Sequence, residues 1–185
     1  LMLAIGANWQ AAAIALATLL LYVWVYTPMK TRTSLATVVG AVPGALPPMI
    51  GYAAAHGSAP FTSWTLFAIM FLWQLPHFLA IAWMYRDDYA RANMPMLPVI
   101  DADGIMTGRQ AVMYSAALVP VSVLPMLFGL ASAAYGIGAL LLGMFLTIVA
   151  MIFAVKRSRE NARMLFLSSI TYLPLLLILM AVSRR

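Results

Sequence analysis

Residues 135–155 read Tyr-Gly-Ile-Gly-Ala-Leu-Leu-Leu-Gly-Met-Phe-Leu-Thr-Ile-Val-Ala-Met-Ile-Phe-Ala-Val, an unbroken run without a charge. At about 1.5 Å of rise per residue, a helix over this run is as long as the hydrocarbon core of a bilayer is thick. A soluble helix of that length would carry a polar face, and this one has none. Five further apolar runs of spanning length lie at about 9–27, 34–55, 63–85, 110–131 and 164–182, and residues 1–6 read as the tail of another. The whole chain of 185 residues is 64% hydrophobic and 9% charged, too little charge to cover a soluble surface. Mean hydropathy is +0.94. The expectation is an all-α, multi-pass transmembrane bundle of about six complete helices plus the tail of one more. It forms a single domain over 1–185, with no internal repeat, low-complexity linker or second domain.

A net charge of +6 in a soluble protein would suggest nucleic acid. Here the basic residues sit in short loops between apolar runs, so they set topology and meet anionic lipid headgroups or an anionic substrate. Lys30, Arg32, Arg86, Arg91, Arg109, Lys156, Arg157, Arg159 and Arg163 fall in alternate loops, which leaves only Arg184 and Arg185 of the 11 basic residues for the other side. The positive-inside rule then puts loops 28–33, 86–109 and 156–163 in the cytoplasm and the carboxyl terminus outside. Without cysteine there are no disulfides and no thiolate metal sites. No basic segment opens the chain, so no signal peptide is expected. The interrupted helix at its start suggests a fragment.

The run at 34–55 is unusual, because Gly40, Pro43, Gly44, Pro47, Pro48 and Gly51 crowd one hydrophobic segment. Each proline removes a backbone donor and clashes with the preceding turn, so this helix must bend or open. Opened backbone survives at membrane depth only when buried in protein or lining a cavity. Gly40 and Gly44, four apart, also favour close helix packing. Both effects are expected, with glycines that pack and prolines that shape a cavity wall.

The densest charge lies at 85–98, Tyr-Arg-Asp-Asp-Tyr-Ala-Arg-Ala-Asn-Met-Pro-Met-Leu-Pro. If the preceding helix continues through it, His77, Ile81, Met84 and Asp88 share one face, with His77 about 16 Å inward of Asp88. Gln74 lies one turn before His77, and Pro76 is positioned to kink the helix between them. A histidine there can be a satisfied helix–helix contact, yet an ionisable group at membrane depth is a functional candidate by default. Asp87 and Asp88 at the membrane rim can hold Mg²⁺, a hard cation that prefers oxygen and bridges to substrate phosphates. Lys30 and Arg91 could neutralise the remaining phosphate charge. The plainer account makes Asp88 and Arg91 an exposed i,i+3 pair of little energetic weight. Asp101 and Asp103 read as a turn leading to Thr107, a cap for a helix starting near Arg109. The 14 methionines read as lipid-facing filler.

Taken in order, Tyr26-Thr-Pro-Met-Lys30, Val39-Gly-Ala-Val-Pro-Gly-Ala-Leu-Pro-Pro-Met-Ile-Gly51, Trp73-Gln-Leu-Pro-His-Phe78 and Asp87-Asp-Tyr through Met94-Pro-Met-Leu-Pro98 resemble the heme O synthase family. These are the protoheme IX farnesyltransferases of the UbiA-type intramembrane prenyltransferase superfamily. The resemblance covers nearly the whole chain and rests on the combination, since no one motif is specific. It implies nine transmembrane helices around a central cavity, of which this chain supplies the end of the third and all of the fourth to ninth. It implies Mg²⁺-assisted loss of diphosphate from farnesyl diphosphate and attack on the allylic cation by a vinyl group of protoheme IX, which is a substrate and not a prosthetic group. Water completes the addition.

By the same resemblance Asp88 serves Mg²⁺ or diphosphate, with Asp87 as a second metal ligand, and Lys30 and Arg91 complete the catalytic set. Gln74 and His77 face the heme or the cavity, Tyr26 and Tyr89 are cavity aromatics, and heme A synthase is a candidate partner. The family's first acidic motif, of the N-x-x-x-D-x-x-x-D kind, does not occur in these 185 residues. The segment alone is therefore expected to be inactive.

Three rival readings make different demands. A secondary transporter would need a second broken helix in a matching repeat, and 110–182 offers only Pro120, Pro125 and Pro174. A prenyltransferase for a quinone or chlorophyll precursor would share the rim chemistry but not the Trp-Gln-Leu-Pro-His element. A non-catalytic assembly factor for cytochrome oxidase would tolerate loss of Asp88.

Overall fold

The computed structural model describes residues 2–183, and these form an all-helical bundle. After a short α1 (Met2–Gly6), six helices are long and apolar enough to cross a membrane. These are α2 (Trp9–Met29), α3 (Ala36–His56), α4 (Trp64–Met84), α7 (Ile105–Leu127), α8 (Ala133–Lys156) and α9 (Arg159–Val182). Two short helices, α5 (Arg86–Arg91) and α6 (Leu97–Ile100), interrupt the long connection between α4 and α7. The expected six spans are thus present, with ends moved by a few residues. The chain is a multi-pass membrane protein. Arg184 and Arg185, on which the external carboxyl terminus was argued, lie outside the described residues.

Four helices make a closed packing unit, in which α4 lies against α7 and α9 while α8 joins α7 to α9. Leu118, Leu146, Phe153, Leu165, Tyr172 and Leu176 are fully or almost fully buried in it. Trp83 meets Phe153 edge-on, with ring centroids 5.8 Å apart. Where α7 crosses α8, a Cβ on Gly108 would stand 2.7 Å from Ala154 Cα, so only glycine permits that approach. Polar ties cross between helices because nothing in lipid could satisfy these groups instead. Tyr135 Oη donates to the Ser122 carbonyl at 2.8 Å, and Trp73 Nε1 donates to the Ser169 carbonyl at 2.7 Å.

On the other side of α4 lie α2 and α3. The first half of α3 packs against α4 and the end of α2, and its second half packs against the start of α2. As the prolines require, α3 is broken at Leu46, between helical segments Ala36–Ala45 and Pro47–His56. Pro76 is different, because α4 runs through it without interruption. In α2 the residues Leu21–Tyr26 wind as a π-helix, with Thr27 Oγ1 donating to the Tyr22 carbonyl at 2.8 Å. Such bulges recur at functional sites.

Two expectations for 85–109 need correcting. The helix carrying His77 does not continue to Asp88, because the chain turns at Tyr85 (φ −114°, ψ 23°) and α5 is a separate element. The next span starts at Ile105 and not near Arg109, and Thr107 is not its cap. Instead Asp101 Oδ2 accepts from Thr107 N at 2.6 Å and from Thr107 Oγ1 at 2.8 Å, with Gly104 in the left-handed conformation (φ 70°) between them. The carboxylate does the capping and the threonine is buried behind it.

Candidate functional site

A cavity of about 590 Å³ opens between α2, α3 and α4. Helix α3 is interrupted at Leu46 while α4 runs unbroken, and the second half of α3 packs on α4 less extensively than the first. From α2 come Ala15, Thr18, Leu19, Tyr22 and Tyr26, and from α3 Thr37, Gly40, Pro43, Gly44 and Ile50. From α4 come Gln74, Phe78 and Ile81, with Tyr89 and Met96 closing the α5 end. The wall is mostly hydrocarbon, with tyrosines at one end and one carboxamide at mid-depth.

The glycines of α3 give the expected close helix packing, against side chains of α2 and α4. A Cβ on Gly40 would come within 2.5 Å of the Tyr26 ring, and one on Gly44 would collide with Gln74 Oε1. Each glycine leaves room for one polar cavity side chain. Gln74 is 4% exposed and donates from Nε2 to the Ala41 carbonyl at 2.7 Å, which fixes its amide plane. Tyr26 and Tyr22 stand with ring centroids 5.2 Å apart, both presented by the π-helical turn.

The structure brings together Tyr26, Gln74 and Tyr89 among the expected site residues. It keeps His77 apart. That ring stacks between Trp73 and Phe166, at 5.0 Å from each, and its Nδ1 lies 2.8 Å from Ser169 Oγ. It faces α9 and does not line the cavity, because Phe166 and Ser169 of α9 engage the ring on that side of α4. Ile81 and Met84 are separated too, Ile81 lining the cavity and Met84 a groove against α9.

The charged residues stand next in the chain to the tyrosines at the α5 end, and Asp87 lines a separate pocket with Arg86 and Pro98. Lys30 follows Tyr26 by one turn at the end of α2, and Asp88 directly precedes Tyr89. Asp88 is paired with Arg91 and both are exposed, while Asp87 lies 3.9 Å from Arg86. No group of three His, Cys, Asp or Glu side chains is gathered for a metal among the described residues. Two adjacent exposed carboxylates are still a hard-oxygen donor set that suits Mg²⁺, which usually takes one or two carboxylates together with substrate phosphates. Tyr22, Phe78, Met96 and the glycine recesses were not singled out from sequence. They enter the site through contacts between helices, for which a single sequence carries no periodic signal.

A profile of the UbiA prenyltransferase family matches residues 1–170. The chain is 50% identical over 180 residues to the protoheme IX farnesyltransferase of Solibacter usitatus, covering 97% of this chain and 62% of that protein. It is 44% identical over 184 residues to the protein so named from Koribacter versatilis, covering 96% of this chain and 59% of the relative. The protein so named from Myxococcus xanthus is 43% identical over 183 residues, covering 98% and 62%. The chain therefore spans about three-fifths of the length of the curated relatives it matches. No solved structure matches it.

Proposed function

The chain belongs to the UbiA prenyltransferase family, and from that premise we propose that it forms the α2–α4 wall and charged rim of an enzyme that transfers farnesyl from farnesyl diphosphate to a vinyl group of protoheme IX, giving heme O. The carrying observation is the apolar cavity whose α5 end is lined by Tyr26 and Tyr89, each within four residues in sequence of a charged group, Lys30 and Asp88. A lipid-soluble chain with a charged diphosphate head needs that combination.

Lys30 and Arg91 bind the diphosphate oxygens as charge-assisted donors, and Arg91 at the same time holds Asp88 in place. Asp88, with Asp87, would hold Mg²⁺, which would offset the charge that builds on the departing diphosphate. Tyr26 and Tyr89 close the boundary between wet rim and dry cavity. The hydrocarbon wall keeps water from the allylic carbon until the acceptor vinyl carbon reaches it. The carbon–oxygen bond to diphosphate breaks with its electron pair, the new carbon–carbon bond forms to the vinyl group, and water adds to the positive carbon left on that group and loses a proton, giving the hydroxyl of heme O. Gln74 presents the one fixed amide at mid-depth, and we assign it to the acceptor end of the cavity. His77 contributes by seating α4 on α9 and so shaping the wall from behind.

With nine of the basic residues in alternate loops, the rim faces the cytoplasm of a bacterial inner membrane, and the product passes to a heme-oxidising partner of the heme A synthase type. The 185 residues by themselves are expected not to transfer farnesyl, since the resemblance demands a first acidic motif that they do not contain.

The test is Asp88→Ala in a protein of the relatives' length. Heme O formation should fall at least about a hundredfold while membrane insertion persists. Near-normal product would remove Asp88 from the mechanism and favour an assembly role. The alternative acceptor, a quinone or chlorophyll precursor, is tested by supplying it in place of protoheme.

A further inference from the structure

A second groove, of about 630 Å³, runs between the end of α4 and the start of α9 and shares no residue with the apolar cavity. Its lining changes character along α9. Arg159, Glu160 and Arg163, all exposed, occupy the first turns, and Phe166 and Leu167 follow. From α4 come Met84 and the half-exposed Tyr85. At about 1.5 Å per residue the charged stretch covers about 6 Å along the axis and the apolar stretch about the next 6 Å. Those depths match the head-group layer of one leaflet, about 5–7 Å, and the top of the hydrocarbon beneath it. Glu160 and Arg163 are three residues apart, yet they form no ion pair, and neither does Arg159. The ion pairs among the described residues are Arg86 with Asp87 and Arg91 with Asp88. Three charges therefore line one groove without neutralising one another.

We infer that this groove holds one phospholipid of the adjacent leaflet, selected for a phosphoethanolamine head. Arg159 and Arg163, four apart on one helix face, take the phosphate as charge-assisted donors. Two arginines alone would suit any anionic head. Glu160 in the same groove decides against a purely anionic one, because it repels a head that brings no cation of its own. An ethanolamine ammonium, two carbons beyond the phosphate ester oxygen, gives Glu160 a partner and donates to its carboxylate. The acyl chains lie along Met84, Phe166 and Leu167, where the Phe166 ring is braced by its stack with His77. Tyr85 stands at the level where tyrosines favour the membrane interface. Its carbonyl accepts from Asp88 N and Tyr89 N, both at 3.0 Å, so the residue that meets the lipid also holds the first turn of α5. Occupancy here is independent of what the apolar cavity binds.

The 185-residue chain, purified in a mild detergent, would be offered equal amounts of phosphatidylethanolamine, phosphatidylglycerol and phosphatidylcholine with the same acyl chains, and the lipid retained would be counted by native mass spectrometry. Phosphatidylethanolamine should be retained about fivefold over phosphatidylglycerol. Phosphatidylcholine, whose quaternary ammonium has no proton to donate, should also rank below phosphatidylethanolamine. Arg163→Gln should lower retention of both phosphatidylethanolamine and phosphatidylglycerol about tenfold. Glu160→Gln should lower phosphatidylethanolamine and raise phosphatidylglycerol, bringing the two level or reversing them. A gain for one lipid cannot come from misfolding, so this exposed variant keeps the test sharp even where Arg163→Gln is unstable. If phosphatidylglycerol is retained as well as phosphatidylethanolamine by the unaltered chain, or if Glu160→Gln leaves the order unchanged, the groove does not read an ethanolamine head and the inference fails. It fails equally if protoheme at the same concentration displaces the lipid and Arg163→Gln weakens protoheme binding, which would give the groove to a dicarboxylate ligand instead.

Discussion

Two regions of this chain are both built from apolar spanning helices and pack differently. The unit of α4, α7, α8 and α9 is closed and dry, with aromatic and branched side chains filling its centre. The layer of α2 and α3 is also apolar, though less so than α8 and α9, and it encloses empty volume and exposes much of α2. The distinction comes from backbone continuity. Pro120, Pro125 and Pro174 lie within helices that stay unbroken and pack, whereas Pro43, Pro47 and Pro48 fall close enough together to break α3 at Leu46. In a membrane, where burial of hydrocarbon drives little, what decides between a core and a cavity is whether two helices can stay in contact along their length.

The sharpest way to break this comparison is to damage each region in turn. Phe153→Ala removes a fully buried ring that meets Trp83, and should destabilise the bundle by about 3–5 kcal/mol, read by unfolding in mixed micelles. Phe78→Ala on the cavity wall should cost far less, since that ring already borders empty space. Equal losses would show that the two regions are packed alike. Next in size is Gly44→Ala, whose new methyl collides with the Gln74 amide. It should displace that amide from the Ala41 carbonyl, cost about 1–3 kcal/mol and lower product formation, and Gln74→Ala in the same background should relieve the strain.

A smaller effect is expected at His77. Phenylalanine there keeps the stack between Trp73 and Phe166, and Ser169 Oγ retains its bond to the Phe166 carbonyl, so stability should change by no more than about 1 kcal/mol. Product formation should fall far less than in Asp88→Ala. A loss as large as that of Asp88→Ala would return His77 to the substrate. Smallest of all, Arg91→Ala should leave the unfolding midpoint almost unchanged, within about 0.5 kcal/mol, because its pairing with Asp88 is exposed. A clear stability change there would mean that the rim is organised as a fold element and not for ligand.

How far the site was legible can be followed residue by residue. Tyr26, Gln74 and Tyr89 were chosen from sequence and meet at one cavity. His77 was expected at the cavity as an ionisable group at membrane depth, but its side of α4 meets α9, where Phe166 and Ser169 engage the ring. The glycines of α3 were noted as packing residues, but what they accommodate, a tyrosine ring and a carboxamide, belongs to other helices. Asn8 was not singled out from sequence, and its bond to Ala53 becomes visible only when α2 and α3 are placed side by side.

The spans, their number and the break in α3 were determined by sequence alone. They follow from the length of apolar runs and from the missing donors of proline, and both act within a few residues of chain. Which helix face meets which neighbour, where α4 stops, and that a closed bundle stands beside an open cavity were decided by tertiary structure. In lipid an apolar helix has no wet side to declare its orientation, so hydrophobic periodicity is silent there. Only steric fit and a few buried hydrogen bonds choose the partners.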